Sequence, residues 1–166
     1  MYTAVSDFVA EWQYEAAATE KLLAALTDES LAQPVSVGGR TLGRIAWHMV
    51  HTLTEMPHTA GLLAVDELAD QPVPVSATEI QDTYRRLAPL VAQAASTNWS
   101  DNQLLDEVPM YGENWAKRTV LSVLIRHQAH HRGQLTVLMR QAGLPVAGVY
   151  GPAREEWLAF GADAPE

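Results

Sequence analysis

Apolar residues recur at helical spacing in four long stretches, separated by three breaks rich in glycine or proline. The first stretch runs from about Ser6 to Leu26 and carries Phe8, Val9, Trp12, Ala16, Leu22, Leu23 and Leu26. A polar run, Thr27 to Ser30, then leads into a connector with Pro34 and Gly38-Gly39. The second stretch starts near Thr41, a good N-cap residue, and places Leu42, Ile45, Met49, Leu53 and Met56 on one face. Pro57 predicts a kink or a boundary there. After the loop Gln71-Pro72-Val73-Pro74, the pattern Ser76-Ala77-Thr78-Glu79 reads as a capping box opening a third helix, which runs to about Ala95 with Pro89 as a weak point. Residues 98–117 are polar and irregular, a connection long enough to carry function. The fourth helix, about Arg118 to Gln141, stops at Gly143 ahead of Pro145. A tail with Trp157, Leu158 and Phe160 is expected to pack back as a short helix.

Alternating strand patterns are few, and there is no internal repeat or charge block. The expected fold is therefore all-α: one domain over residues 1–166, a four-helix bundle with a short C-terminal helix.

Composition narrows the function classes. With 48% apolar residues, the 166-residue chain is ordinary for a globular domain. Twenty acidic residues against eleven basic ones give a net charge of −9, which repels phosphate backbones, so no nucleic-acid partner is expected. No apolar run approaches the ~18 residues needed to cross a bilayer. The N-terminus has no basic residue ahead of an apolar stretch, so a cytoplasmic protein without a membrane partner is expected. The absence of cysteine excludes a thiolate nucleophile, a disulfide framework and a cysteine-based zinc site.

The six histidines fall in two groups: His48, His51 and His58 on the second helix, His127, His130 and His131 on the fourth. His127 and His131 are four residues apart and lie one above the other, in a stripe with Val120, Leu124, Leu135 and Leu138. His130 flanks that stripe. Two interior imidazoles with no carboxylate between them are costly to bury unless they share a cation. On the second helix, His48 sits at the edge of the apolar face, His51 lies on the opposite side toward solvent, and His58 follows the proline. His48 is thus the better third ligand, although the choice over His51 depends on a register that Pro57 can disturb. His48, His127 and His131 would leave room for water or substrate at a metal, as catalytic sites do. Two familiar motifs fail: His127-Gln128-Ala129-His130-His131 has glutamine where the zinc proteases have their glutamate base, and Glu55-Met56-Pro57-His58 is a single copy of a di-iron element that needs two.

Gly43-Arg44-Ile45-Ala46-Trp47-His48, together with His127-Gln128-Ala129-His130-His131-Arg132-Gly133-Gln134-Leu135, resembles the DinB-like (DinB/YfiT) superfamily over nearly the whole chain. The resemblance implies a four-helix bundle, often dimeric, with one divalent metal ion on His48, His127 and His131. Zinc or nickel leads, and iron or manganese also suits three imidazoles. Relatives of this kind include S-transferases using bacillithiol or mycothiol, a thiol-dependent isomerase and proposed metal hydrolases. The implied function is a metal-dependent S-transferase joining a small-molecule thiol to an electrophilic substrate, in stress or detoxification; the partners are those two small molecules and a second copy of the chain. The alternatives are a metal-dependent hydrolase and a non-catalytic metal-binding or interaction bundle. The bound metal would lower the pKa of a thiol or of water. Arg44, Arg118, Arg126 and Arg132 offer a basic patch for an anionic thiol, against the simpler reading of solvated or ion-paired arginines. Glu55, two turns after His48, is placed to orient a histidine, to accept a proton or to face water. Tyr111, Glu113 and Trp115 suit a pocket wall or lid, and Trp12 and Trp47 a core or dimer contact.

Overall fold

Thr41 and Ser76 start helices as their chemistry dictates: Thr41 Oγ1 accepts from the Arg44 amide at 3.2 Å and Ser76 Oγ from the Glu79 amide at 3.4 Å. In the computed structural model, which describes residues 1–164, the long helices are α1 (Val5–Leu23), α2 (Leu42–Thr59), α3 (Ala77–Asn98) and α4 (Lys117–Gln141). Two further caps come from distant residues. Asp101 accepts from the Val5 amide at 2.7 Å, and Asp28 accepts from the Ala77 amide at 2.7 Å. These carboxylates serve helix N-termini, where backbone donors lack partners and the dipole favours negative charge. Only one half of the expected Ser76–Glu79 box is made, and Asp28 supplies a second cap to the same turn.

α1 packs on α3 and α4, and α2 packs on α3 and α4, around a core that includes Phe8, Trp12, Leu53, Ile80 and Leu87, each at most 2% exposed. Each such side chain contributes about 1.5–3 kcal/mol by leaving water. Trp12 Nε1 donates to the Ala88 carbonyl at 2.8 Å, and Trp47 is buried, so both tryptophans belong to the core. α4 ends as expected at Gly143, with Leu144 N–H donating to Met139 O and Gly143 N–H to Arg140 O.

Four expectations need correction. α1 ends at Leu23, and Ala25 and Leu26 continue only as tighter three-residue turns. Pro57 sits inside α2, which continues two residues beyond it to Thr59, whereas α3 runs through Pro89 as expected. The connection at 98–117 is ordered, with a 3₁₀ turn at Asp101–Gln103 and an antiparallel hairpin of β1 (Glu107–Met110) and β2 (Glu113–Ala116). Tyr111 and Gly112 both have positive φ, 51° and 86°, as a two-residue type I′ turn requires. The protein is thus mostly helical with a small two-stranded sheet rather than all-α. Finally, the tail forms the short helix Arg154–Phe160, but Leu158 and Phe160 are 77% and 70% exposed. Its attachment is polar: Glu155 pairs with Arg140, and Glu156 accepts from the Gly148 and Ala153 amides.

Candidate metal centre

α4 stacks His127 and His131 on one face by its own geometry, while the packing of α2 against α4 brings His48 across to them. His127 Nε2 lies 3.1 Å from His48 Nε2 and 3.1 Å from His131 Nε2. His131 is buried and the other two are half-buried. Each of the three offers one nitrogen, all within 4.8 Å of one another, and among the described residues no carboxylate joins the group.

Hydrogen bonding alone does not satisfy this cluster. A neutral imidazole has one N–H and one acceptor nitrogen. His131 Nδ1 donates to Gln134 Oε1 at 2.8 Å, which leaves its Nε2 as a lone pair facing His127. A single proton on His127 Nε2 can serve only one of its two neighbours. A second proton on any ring is opposed. Burial, followed by the charges of His131, Arg40 and Arg44, holds His48 down to about 4. Burial, followed by His131 and His48, holds His127 down to about 4. Burial also lowers His131, against the Gln134 hydrogen bond. The three rings therefore stay neutral at neutral pH, the state a metal requires.

A shared cation fits where protons do not. With metal–nitrogen bonds of about 2.05 Å, ligand nitrogens lie ~2.9 Å apart at a right angle and ~3.3 Å apart at a tetrahedral angle. The two separations made by His127 Nε2, 3.1 Å each, fall between those limits, and the whole group lies within 4.8 Å.

The other three histidines stay outside the group. His51 is not solvated as expected. It is half-buried, with Nε2 3.5 Å from Asp66 Oδ2, and that carboxylate also accepts from Thr54 Oγ1 at 2.6 Å. A loop residue, invisible to helical stepping, therefore sets its surroundings. His58 is exposed beside the Leu63 carbonyl, and His130 flanks His131 on the surface as predicted. Gln128, at the position of a protease base, points into the core: it is fully buried and donates to the Met49 carbonyl at 2.9 Å.

Of the four arginines weighed as a basic patch, most follow the simpler reading of solvated or paired side chains. Arg132 is only 2% exposed and is paired with Glu15, so it does not face a ligand. Arg126 bonds Ser122, and Arg118 is half-buried on the first turn of α4. Arg44 is exposed and near enough to influence His48, and Arg40, missed in the sequence, influences both His48 and His131. Glu55 accepts from Tyr111 Oη at 2.8 Å, so it anchors the hairpin tip rather than a histidine. Trp115 stacks edge-on with Tyr111 and donates to Glu113 at 2.8 Å. Gln134 was the other residue missed; its position three after His131 on a helix was the available signal.

A cleft of about 600 Å³ runs beside the histidines, lined by Arg40, Ile45, His130, Gly133, Gln134 and Val137 among others. A second, at the hairpin tip, is bordered by Thr59 and by residues 109–114.

The chain matches the model of the DinB family over residues 1–164. It is 45% identical to the uncharacterized protein YrdA of Bacillus subtilis (strain 168), across all of this chain and 99% of that protein. A crystal structure of a DinB-like protein from Bacillus cereus ATCC 10987 aligns with a TM-score of 0.85 at 44% identity, covering 90% of this chain and 100% of the other. A DinB-like protein of Bacillus subtilis, YjoA, aligns with a TM-score of 0.66 at 14% identity, over 82% of this chain and 92% of that one, a likeness of fold alone.

Proposed function

The chain belongs to the DinB family, and on that premise we propose that it is a four-helix-bundle enzyme holding one divalent metal ion on His48, His127 and His131 and transferring a small-molecule thiol to an electrophile. The observation that carries the metal is the convergence of three neutral imidazoles within 4.8 Å, His127 Nε2 lying 3.1 Å from both His48 Nε2 and His131 Nε2, a pair of contacts that one proton cannot bridge. Zinc or nickel suits the imidazole set best, with iron or manganese next. When bound, the ion would supply Lewis acidity that lowers the pKa of a thiol or a water.

The protein's own residues have defined parts in this reading. Gln134 fixes the His131 tautomer so that Nε2 is free to bind. Helix α4 sets the spacing of two ligands, and its packing on α2 sets the third. Arg40 and Arg44 add positive charge beside the group, which favours an anionic thiolate over a neutral thiol. The lack of cysteine means the sulfur has to come from a cosubstrate. Assembly as a homodimer and a role in stress or detoxification belong to the same reading and rest on the family resemblance.

The test is elemental analysis of purified wild type and of His48→Ala, His127→Ala and His131→Ala, followed by a thiol-consumption assay with bacillithiol or mycothiol and a model electrophile. About one metal per chain in the wild type, lost in each variant, with metal-dependent thiol consumption, is the expected result. No metal after reconstitution with divalent ions overturns the site. A metal-loaded protein that cleaves ester or amide probes and leaves thiols untouched is a hydrolase instead, and one that does neither is a binding module.

A further inference from the structure

α4 presents His130, Gly133, Gln134, Val137, Leu138 and Gln141 at helical spacing along one wall of the cleft beside the histidines. These eleven steps span about 16 Å at 1.5 Å per residue. At the metal end the wall is polar, with Gln134 contacting both His131, at 2.8 Å, and His130, at 3.1 Å, and the far end is closed by Gln141. Between them the wall is Val137, which is 57% exposed, and Leu138.

The facing wall is a short closed loop. Val35 N–H donates to Arg40 O at 2.9 Å, Gly39 N–H to Ser36 O at 2.9 Å, and Pro34 bridges to Thr41. A side chain at position 39 would meet Ser36 Oγ at 2.8 Å, so the loop is tightly folded. It holds Arg40 over the cleft, and among the described residues no carboxylate pairs with that guanidinium. Among the described residues no acidic side chain lines the cleft, in a chain with twenty acids.

Gly133 is the decisive residue. Glycine inside a helix costs about 1 kcal/mol relative to alanine. Neither usual compensation applies here: its φ is not positive, and nothing lies within 4 Å of where a Cβ would stand. What a side chain at this position would occupy is the cleft.

We propose that this cleft binds an organic carboxylate with an apolar body, its carboxylate on Arg40 beside the three histidines and its body lying over Gly133 toward Val137 and Val35. Its meaning as a substrate site, for the electrophile of the transfer, rests on the metal reading above; the binding itself does not. The planar guanidinium matches a carboxylate fork, and the apolar stretch of the wall discriminates against small hydrophilic acids.

The test uses octanoate, with 1-octanol as the uncharged probe, titrated calorimetrically into wild type, Arg40→Gln and Gly133→Leu, with the metal content of each sample measured in parallel. The wild type is expected to bind one octanoate per chain, about tenfold more tightly than 1-octanol. Arg40→Gln removes that preference. Gly133→Leu weakens both probes by at least about tenfold while its thermal midpoint is unchanged or raised. The proposal is overturned if octanoate does not bind saturably, if it binds no better than octanol, or if either variant binds octanoate as the wild type does. Octanoate binding with these dependences in protein that takes up no metal on reconstitution would sustain the cleft while the transferase reading fails. Stoichiometric metal without them would do the reverse.

Discussion

Replacing Gln134 by alanine removes the acceptor that fixes the proton of His131 on Nδ1. The ring then loses its orienting contact and part of its basicity, while all three candidate ligands remain. Loss of such an outer partner weakens metal affinity about 10- to 100-fold, or ~1.4–2.7 kcal/mol. Gln134 is exposed on α4, and alanine is at least as good a helix former, so the metal-free protein should unfold as the wild type does. The stabilisation conferred by zinc should fall by the same ~1.4–2.7 kcal/mol, which at about 2–4 °C per kcal/mol for a chain of this size is roughly 3–10 °C in midpoint. Gln134→Glu offers a carboxylate to the same Nδ1–H and should bind zinc at least as tightly as the wild type. Competition against a chromophoric chelator at pH 7.5 reads the affinities, and thermal unfolding with and without chelator reads the stabilities. Wild-type affinity in Gln134→Ala, or a Gln134→Glu variant weaker than Gln134→Ala, would refute the assigned tautomer and with it the orienting role.

Two further outcomes follow from buried charge and from the histidines. Glu15 and Arg132 are 5% and 2% exposed, with Tyr150 Oη donating to Glu15 at 2.9 Å, so Glu15→Ala strands a buried guanidinium and should cost about 3–5 kcal/mol in urea unfolding. The Glu15→Leu, Arg132→Met pair should recover most of that loss; a double variant no more stable than Glu15→Ala would contradict the argument. His48 and His127 sit at about 4 in the folded protein against 6.5 unfolded, so the unfolded chain takes up protons first as pH falls. The thermal midpoint of metal-free protein should accordingly drop between pH 6.5 and 4, with no contribution from these groups above 6.5, and an unchanged midpoint from pH 7.5 to 5 would count against it.

The pair His127 and His131 was legible because four residues of helix fix two side chains in one direction without help from the rest of the chain. Thr41, Ser76 and Gly143 marked helix ends for the same reason: capping chemistry acts within a turn. The hairpin was not legible. Each strand has four residues and gains its hydrogen bonds only from the other, and the turn signal was masked by Tyr111, which takes the first position where asparagine or aspartate is the usual cue. Arg132 is ion-paired, as the simpler reading had it, but its burial was not legible for a related reason. Its charge argues for the surface, and only the arrival of Glu15 from α1 and Tyr150 from the tail makes burial tolerable.

Local spacing along the chain determined the four long helices, the stacked pair on α4 and the placing of His48 at the edge of the α2 apolar face. Tertiary structure decided the rest: that His48 meets His127 at 3.1 Å while His51 turns to Asp66, that Arg40 overhangs the cleft, and that Asp28 and Asp101 cap helices far along the chain. Helical periodicity and capping are set by bonds and contacts within a few residues. Which faces meet, and which charges end up without water, depends on packing between segments dozens of residues apart.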